Sequence, residues 1–491
     1  MRIVKEGARP RVRVTARRWW QGGIAALAML MVAAVAVAED PLDDAPEDPT
    51  APPVEAQELG VEEQTEDEPL SAPIDDWRDI LRFGIDSEVI TLLETLAEQR
   101  EDRLHEEIAE LYEFSPNPRL RRRVLEFFTE LEYAGAEELA LDVLREPREH
   151  SNELVLAAVR YIAAVIAEPM SETLESLHTI ADSPQPMLAD TALRAIGRRG
   201  GPEDVEPLME RLTNRRTPTA LRGAVILALG ELRAEEAVEE LVRIVGATAE
   251  DATLRRYAAD SLGRIGDARA IEPLSALLRS DDTMLRAYAV NGLGHFEGEE
   301  VERSLTAALR DSYWRVRVAA LQGIARHNME DAIPAVVFRA ERDPETPVRN
   351  EALLTLAKLD TRESREFLSQ YVQNNRVPEA SRITALRHML EQNMGAYTDV
   401  VEALIDSEYE NSGSRILDQI GRALSTSEQR APEAVYARLL DHPNFVIKIY
   451  GLRAVGRHGE RGLRDRLREL SEEGNHQAVR RTALDALNRM E

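Results

Sequence analysis

One short motif occurs three times in the middle of the chain, as LRRYAADSLGRIG at 254–266, LRAYAVNGLG at 285–294 and VRVAALQGIA at 316–325. We take the residue after the leading apolar position as an anchor. Working outward in both directions, the anchors fall at 87, 121, 155, 189, 222, 255, 286, 317, 349, 382, 415, 447 and 480. Thirteen starts spaced by 31 to 34 residues predict a stack of similar helical units.

Each unit reads as two helices joined by a turn. Leu285, Ala289 and Leu293 recur at helical spacing, and Val301 and Leu305 do so in the second half of the same unit. Small residues mark the predicted turn between the helices, at Gly263, Gly266, Gly292 and Gly294. Prolines fall 17 or 18 residues after their anchors, which suits the first turn of a second helix, at Pro207, Pro273, Pro334 and Pro432. The pattern predicts twelve helix pairs and a final lone helix at 479–490.

These motifs resemble HEAT repeats, specifically the short variety named after phycobilisome lyases. The shared elements are the Val/Leu-Arg start, the Ala three residues later, the Leu-Gly or Ile-Gly turn and the closing Leu-Leu of the second helix. The resemblance covers residues 77–491, about 415 of the 491 residues. It implies an all-α solenoid, a right-handed superhelix of about twelve helix pairs with a long concave surface, and it leaves function open because repeat folds serve many functions.

The resemblance also implies a ladder of ion pairs and hydrogen bonds between neighbouring units. Nine anchors are arginine, and an aspartate precedes two of them by six residues in the pairs Asp311/Arg317 and Asp343/Arg349. The implied ladder comprises Arg222, Arg255, Arg286, Arg317, Arg349, Asp311 and Asp343. The fit is incomplete, since Ile447 stands at one anchor. The alternative is a stripe of arginines that binds phosphates or carboxylates.

The first 76 residues have the composition of an export signal followed by a spacer. Residues 1–38 hold seven basic side chains, then the uncharged run IAALAMLMVAAVAVA at 24–38, which ends in an Ala-Val-Ala cleavage pattern. The alternative is an uncleaved anchor, because residues 19–38 are uncharged and about long enough to span a bilayer. Residues 39–76 contain 15 acidic residues, no basic ones and seven prolines, which is typical of an extended disordered spacer.

The charge of the chain limits its partners. The net charge is −28, and residues 1–38 contribute +6, so the remainder carries −34. Such a chain should repel nucleic acids and anionic membranes overall, which favours protein partners in the cell envelope. Membrane contact is expected only through a possible uncleaved N-terminal anchor. The sequence has no cysteine, so disulfides, thiolate metal sites and cysteine nucleophiles are excluded.

The sequence shows no catalytic or metal-binding constellation, and we predict no cofactor. His295, His327 and His458 follow their anchors by 9, 10 and 11 residues, a drifting phase that argues against a shared metal site. HEAT-like enzymes that resemble deoxyhypusine hydroxylase use several His-Glu pairs, whereas this chain has one, His105-Glu106. No Walker loop, GxSxG or HExxH motif occurs.

Two surface features remain as binding candidates. Tyr313, Trp314 and Arg315 combine residue types that are frequent at binding hot spots, although a Trp at this place also packs between units. Arg119, Arg121, Arg122 and Arg123 form the densest basic cluster after residue 38. We therefore predict a non-catalytic, exported protein-binding scaffold in a bacterial periplasm. The alternatives are a HEAT-like lyase or metal-dependent hydroxylase and a structural spacer of the cell envelope.

Overall fold

A computed structural model describes residues 74–411 and 413–490, and this part of the chain is all-α, without a β-strand. The predicted signal at 1–38 and the spacer up to residue 73 lie outside the described residues. The chain forms an α-solenoid, as predicted. Its even-numbered helices are α2 Asp86–Gln99, α4 Pro118–Glu130, α6 Asn152–Val165, α8 Pro186–Arg199, α10 Thr219–Glu231, α12 Ala252–Ile265, α14 Thr283–Leu293, α16 Trp314–Arg326, α18 Thr346–Leu359, α20 Glu379–Asn393, α22 Arg415–Thr426, α24 Phe445–His458 and α26 Gln477–Asn488.

The odd-numbered helices alternate with these along the chain. They are α1 Ile74–Phe83, α3 His105–Phe114, α5 Glu137–Arg145, α7 Ser171–Ala181, α9 Val205–Thr213, α11 Val238–Gly246, α13 Ile271–Leu277, α15 Glu299–Ala308, α17 Ile333–Arg342, α19 Arg362–Gln373, α21 Thr398–Glu408, α23 Glu433–Asp441 and α25 Arg464–Ser471. We call the two sets the even layer and the odd layer. In the described residues, twelve pairs run from α2–α3 to α24–α25, followed by the lone α26, which confirms the predicted repeat count.

The anchors mark the starts of the even-layer helices. All thirteen lie within the first four residues of an even-numbered helix, and ten are the fourth residue. In α24 the fourth residue is Lys448 rather than Ile447. The helix α1 was not predicted, and its first turn includes residues 74–76 of the proposed spacer. Trp77 and Leu81 of α1 are buried against the first units.

Two of the four turn glycines have a different role from the predicted one. Gly266 ends α12 with a positive φ of 80°, as a turn glycine should. Gly263 and Gly292 instead lie inside α12 and α14, where the two backbones meet. A Cβ atom on Gly263 would lie 2.5 Å from the Cα of Gly292, so only glycine allows this approach. Consecutive even-layer helices therefore pack backbone to backbone at this point.

The second helix of many units begins with a short 3₁₀ turn that the pattern did not predict. Such turns lie at Ala134–Ala136, Pro202–Asp204, Glu235–Ala237, Ala268–Ala270, Glu330–Ala332, Met394–Tyr397 and Arg461–Leu463. The repeat prolines lie in or next to the first helical turn: Pro207 and Pro273 at the third position, Pro334 at the second, and Pro432 directly before α23. Within the described ranges, no helix is both long and apolar enough to cross a membrane.

Candidate binding surface

The anchor arginines form a chain of contacts from one unit to the next. Nη1 of Arg286 donates to the carbonyl of Ser280 at 2.8 Å, and its Nε and Nη2 both reach Asp311 at 2.8 Å. The main-chain carbonyl of Asp311 accepts from Nη1 of Arg317 at 2.8 Å. Asp311 therefore connects the arginines of two successive units, through its carboxylate on one side and its carbonyl on the other.

The next link of this ladder is buried. Arg317 donates to both carboxylate oxygens of Asp343 at 2.8 and 2.7 Å, and the exposed fractions of the two side chains are 6% and 0%. The carbonyl of Asp343 accepts from Nη1 of Arg349 at 2.7 Å. Burial by itself would raise the pKa of Asp343, but hydrogen bonds from Arg317 and from the N–H of Glu345 lower that pKa below its ordinary value.

The structure thus changes how the ladder residues pair. Asp311 and Asp343 do contact the arginines six residues later, Arg317 and Arg349, but through their carbonyl groups. Their carboxylates pair with arginines 25 and 26 residues earlier, in the preceding unit. The ion pairs therefore cross the boundary between units, which is where a ladder can hold the stack together.

The remaining ladder positions keep part of this arrangement. Arg222 pairs with Glu250 at 3.2 Å and donates to the carbonyl of Leu212. Arg255 donates to the carbonyl of Val245 at 3.1 Å, and no carboxylate of the described residues lies within ion-pair distance of it. Lys448 takes the corresponding place in α24, where its ammonium donates to Leu440 at 3.0 Å. These cations are held by carbonyl groups near the end of the preceding helix pair, so they are not free to bind a ligand.

The Tyr313-Trp314-Arg315 segment lies at the start of α16, half-buried in the even layer. The hydroxyl of Tyr313 donates to the sulfur of Met284 at 3.3 Å, and its N–H donates to Asp311 at 2.8 Å. The guanidinium of Arg315 lies over the ring of Trp314, 4.8 Å from its centroid. Tyr313 therefore has a packing role, whereas Trp314 and Arg315 form a partly exposed stack.

The basic cluster on α4 is neutralised by surrounding glutamates. Arg123 pairs with Glu130 at 2.8 Å, and Arg122 lies 3.6 Å from Glu126. Arg121 turns away toward Asp142 at 3.0 Å and toward the ring of Tyr112. Arg119 is exposed at the edge of a groove of about 420 Å³ between α2 and α4, whose lining residues include Arg119, Arg122, Arg123, Glu94, Glu98, Glu126 and Glu130. Because acidic residues match the arginines there, the groove is not the basic patch that the sequence suggested.

Two tyrosines on the two even-layer helices before α16 were missed by the sequence reasoning. Tyr257 of α12 lies over Gly223, where a Cβ would approach its ring to 3.2 Å. Tyr288 of α14 is half-buried, and its pKa is raised, first by burial and then by the nearby charge of Asp260. Both tyrosines stand two residues after their anchors, in the LRRY and LRAY motifs. Equal positions in neighbouring units lie on the same face, so this repetition was a usable signal.

The comparison with known families decides the assignment of these repeats. The family described as spirochaete HEAT repeat protein matches residues 81–486. The chain belongs to this family. The matched span covers the helix pairs of the solenoid from the end of α1 to α26. No curated protein sequence matches the chain.

Several solved HEAT-type structures are similar in fold at low identity. Kap95p, in a structure on its binding to RanGDP, is 14% identical, with 79% of this chain and 61% of that chain covered and a TM-score of 0.44. The karyopherin Kap121p, bound to the extreme C-terminus of Cdc14p, is 13% identical over 82% and 52%, with a TM-score of 0.40. The CpcE and CpcF complex of phycocyanin lyase from Nostoc sp. PCC7120 is 16% identical over 58% and 94%, with a TM-score of 0.30. The chain thus spans about half to three fifths of the two karyopherins.

The three candidate histidines do not form a shared metal site in the part of the chain that the structure describes. His327 lies 2.8 Å from the carbonyl of Gly294, and His458 stacks on the ring of Tyr436. His295 is exposed at the end of α14. Among the described residues, no group of three or more His, Asp or Glu side chains is placed to hold a metal ion.

Proposed function

We propose that this HEAT-repeat protein is an exported scaffold or assembly adaptor that binds a partner protein on its even layer. The observation that carries this proposal is the row of half-exposed side chains on successive even-layer helices: Tyr257, Tyr288, Trp314 and Arg315. Aromatic residues and arginine dominate binding hot spots, because they bury a large apolar area and still offer hydrogen bonds. Stacked units repeat such positions at regular spacing, which suits an extended partner.

The proposed site of action is outside the cytoplasmic membrane. This part rests on residues 1–38, with their order of basic region, apolar run and small-residue cleavage pattern. Fractionation of the native host, combined with N-terminal sequencing of the mature protein, tests it. A mature chain that begins at Glu39 in the envelope fraction is expected. A full-length chain in the membrane fraction would indicate the uncleaved anchor, and a full-length chain in the cytoplasm would refute export.

The binding role can be tested by photo-crosslinking of the full-length protein in its native host. A photoreactive amino acid replaces Asn291 or Gln322, which lie half-exposed in the even layer. Glu272 and Glu300, exposed in the odd layer, provide matched control positions. A discrete envelope protein crosslinked from the even-layer positions alone is the expected result. Crosslinks only to copies of the same chain would favour a structural spacer instead.

A further inference from the structure

Charge is distributed unequally between the two helix layers. The even-layer helices α4 to α26 contain 27 basic and 11 acidic residues. The odd-layer helices α3 to α25 contain 12 basic and 28 acidic residues. With α2 and α1 included, the even layer carries a net charge of +12 and the odd layer −17, within a chain whose net charge is −28. The even layer is therefore basic, although the chain as a whole is acidic.

The excess of positive charge persists after the ladder arginines are set aside. Nine even-layer arginines occupy anchor positions, where the ladder members are engaged with carbonyl groups and carboxylates. The other 18 basic residues of α4 to α26 still outnumber the 11 acidic ones. They recur at positions in and after the middle of the helices, such as Arg198, Arg326 and Arg453. The charge excess is therefore a property of the layer's surface and not only of its ladder.

The centre of the even layer combines this charge with aromatic rings. We define the central patch as Tyr257, Tyr288, Trp314 and Arg315, all of which are partly exposed. Arg256, beside the patch, is neutralised by Asp282 at 2.9 Å. Arg315 differs, because within residues 74–411 and 413–490 no carboxylate lies within ion-pair distance of it, and its guanidinium rests on Trp314. A stacked arginine without an anionic partner is well placed to bind a carboxylate.

We infer that the central patch binds an extended acidic polypeptide segment of the partner, an inference that rests on the proposed scaffold function. Helices of neighbouring units pack about 8–10 Å apart, which equals about three residues of an extended chain at roughly 3.3 Å per residue. Three residues of the segment therefore span the distance from one unit to the next. Arg315 binds a carboxylate of the segment, and the rings of Tyr257, Tyr288 and Trp314 pack against the residues beside it.

A polypeptide fits this surface better than a nucleic acid does. A nucleic acid backbone presents closely spaced phosphates and requires a dense, continuous basic surface. Here the basic residues of α4 to α26 outside the anchors are interrupted by 11 acidic ones, and the odd layer and the chain as a whole are acidic. A sparsely charged acidic peptide can meet the arginines one at a time. Long-range repulsion is also weaker for a short peptide of low charge.

The test uses the full-length protein and a fluorescein-labelled peptide of about 20 residues built from Glu-Gly-Ser repeats, which behaves as a flexible chain. Binding is followed by fluorescence anisotropy at low salt. Arg315→Glu is compared with Arg362→Glu, which makes the same charge change at an exposed residue of the odd layer. We expect Arg315→Glu to weaken binding about tenfold and Arg362→Glu to change it less than about twofold. A Lys-Gly-Ser peptide of equal length should not lose affinity for Arg315→Glu.

Several outcomes would overturn the inference. No binding of the Glu-Gly-Ser peptide at low salt, equal effects of the two variants, or tighter binding of a single-stranded oligonucleotide of equal length would each do so. Thermal melting checks that both variants fold, and Arg315→Gln replaces Arg315→Glu if the latter does not. The photo-crosslinking separates this inference from the proposed function. A crosslinked partner without an acidic segment would support the scaffold function and refute the inference that the central patch binds an acidic segment.

Discussion

At the scale of single residues, the contact between Arg317 and Asp343 is the most informative part of the ladder. Removing one member of a buried ion pair leaves the other charge without compensation. Asp343→Ala is therefore expected to destabilise the surrounding units by about 3–5 kcal/mol. Native-state hydrogen exchange of amides in α16 and α18 measures this loss.

A double-mutant cycle provides the control for this pair. Arg317→Met combined with Asp343→Leu removes both charges, so its cost should be smaller than the sum of the two single changes. Additive costs would show that the two side chains do not interact. A loss below about 1 kcal/mol for Asp343→Ala would place the pair among ordinary surface ion pairs and contradict the role assigned to it.

A histidine on α20 makes a second prediction at this scale. Burial, followed by the charges of Arg387 and Lys358, lowers the pKa of His388 to about 4. The unfolded chain binds the proton near its ordinary pKa of about 6.5, before the folded chain does. Protonation of His388 therefore favours the unfolded chain. The free energy of unfolding is unaffected by this group above pH 6.5 and falls by roughly 2–3 kcal/mol as the pH drops to about 4.

The variant His388→Gln should lose less stability than the wild type between these pH values. Urea unfolding at a series of pH values, followed by circular dichroism, measures the difference. His150→Gln changes a histidine in the loop after α5 and serves as the matched control. Parallel pH profiles for the wild type and His388→Gln would show that His388 is not the titrating group.

At the scale of helices, the approach of α12 to α14 depends on Gly263. A methyl group there would overlap Gly292, with contacts of 2.5 Å to its Cα and 2.8 Å to its carbonyl oxygen. Because both contacts are backbone atoms, the helices must move apart. Gly263→Ala is expected to lower the free energy of unfolding by about 2–3 kcal/mol, in the range of overpacked cores.

Gly246→Ala is the matched control for this substitution. Gly246 is the last residue of α11, is exposed, and has no atom within 4 Å of an added Cβ. The change should be neutral or stabilise by up to about 1 kcal/mol, since alanine restricts the unfolded chain. Urea unfolding of both variants measures their free energies of unfolding relative to the wild type. Equal effects would show that the close approach at Gly263 has no energetic importance.

At the scale of the whole molecule, the layered charge predicts a dependence on salt. The odd layer is acidic as a whole, and its neighbouring helices pack about 8–10 Å apart, close to the Debye length of about 10 Å at 0.1 M salt. Salt should screen this repulsion between helices. The Arg317–Asp343 ion pair is buried, so salt should weaken it little. We expect the melting temperature to rise by several degrees between about 10 mM and 150 mM salt.

Thermal melting of the full-length protein at the two salt concentrations measures this effect. Surface ion pairs weaken with salt, but each contributes only about 0–1 kcal/mol. Identical melting curves would contradict the predicted dependence of stability on salt. A fall in melting temperature would mean that the ion pairs outweigh the repulsion, contrary to the expectation.

The sequence alone determined the solenoid, the number of helix pairs and the starts of the even-layer helices. These features follow from local patterns, because apolar spacing, anchors and helix-breaking residues act within one unit. The tyrosines at 257 and 288 could also have been predicted as surface neighbours, since they occupy equal positions in the LRRY and LRAY motifs. The helix α1 could not be predicted from the repeats, because it precedes the first anchor and shares no motif with them.

Only the tertiary structure decided which side chains meet between units. The sequence could place Asp311 six residues before Arg317, but not show that its carboxylate reaches back to Arg286. It showed the arginines at 119–123 as a basic cluster, whereas glutamates of α2 and α4 surround them. The physical reason is the same in both cases. Contacts between units depend on how each helix is shifted and rotated against the next, and this stacking geometry is set by packing such as that of Gly263 on Gly292.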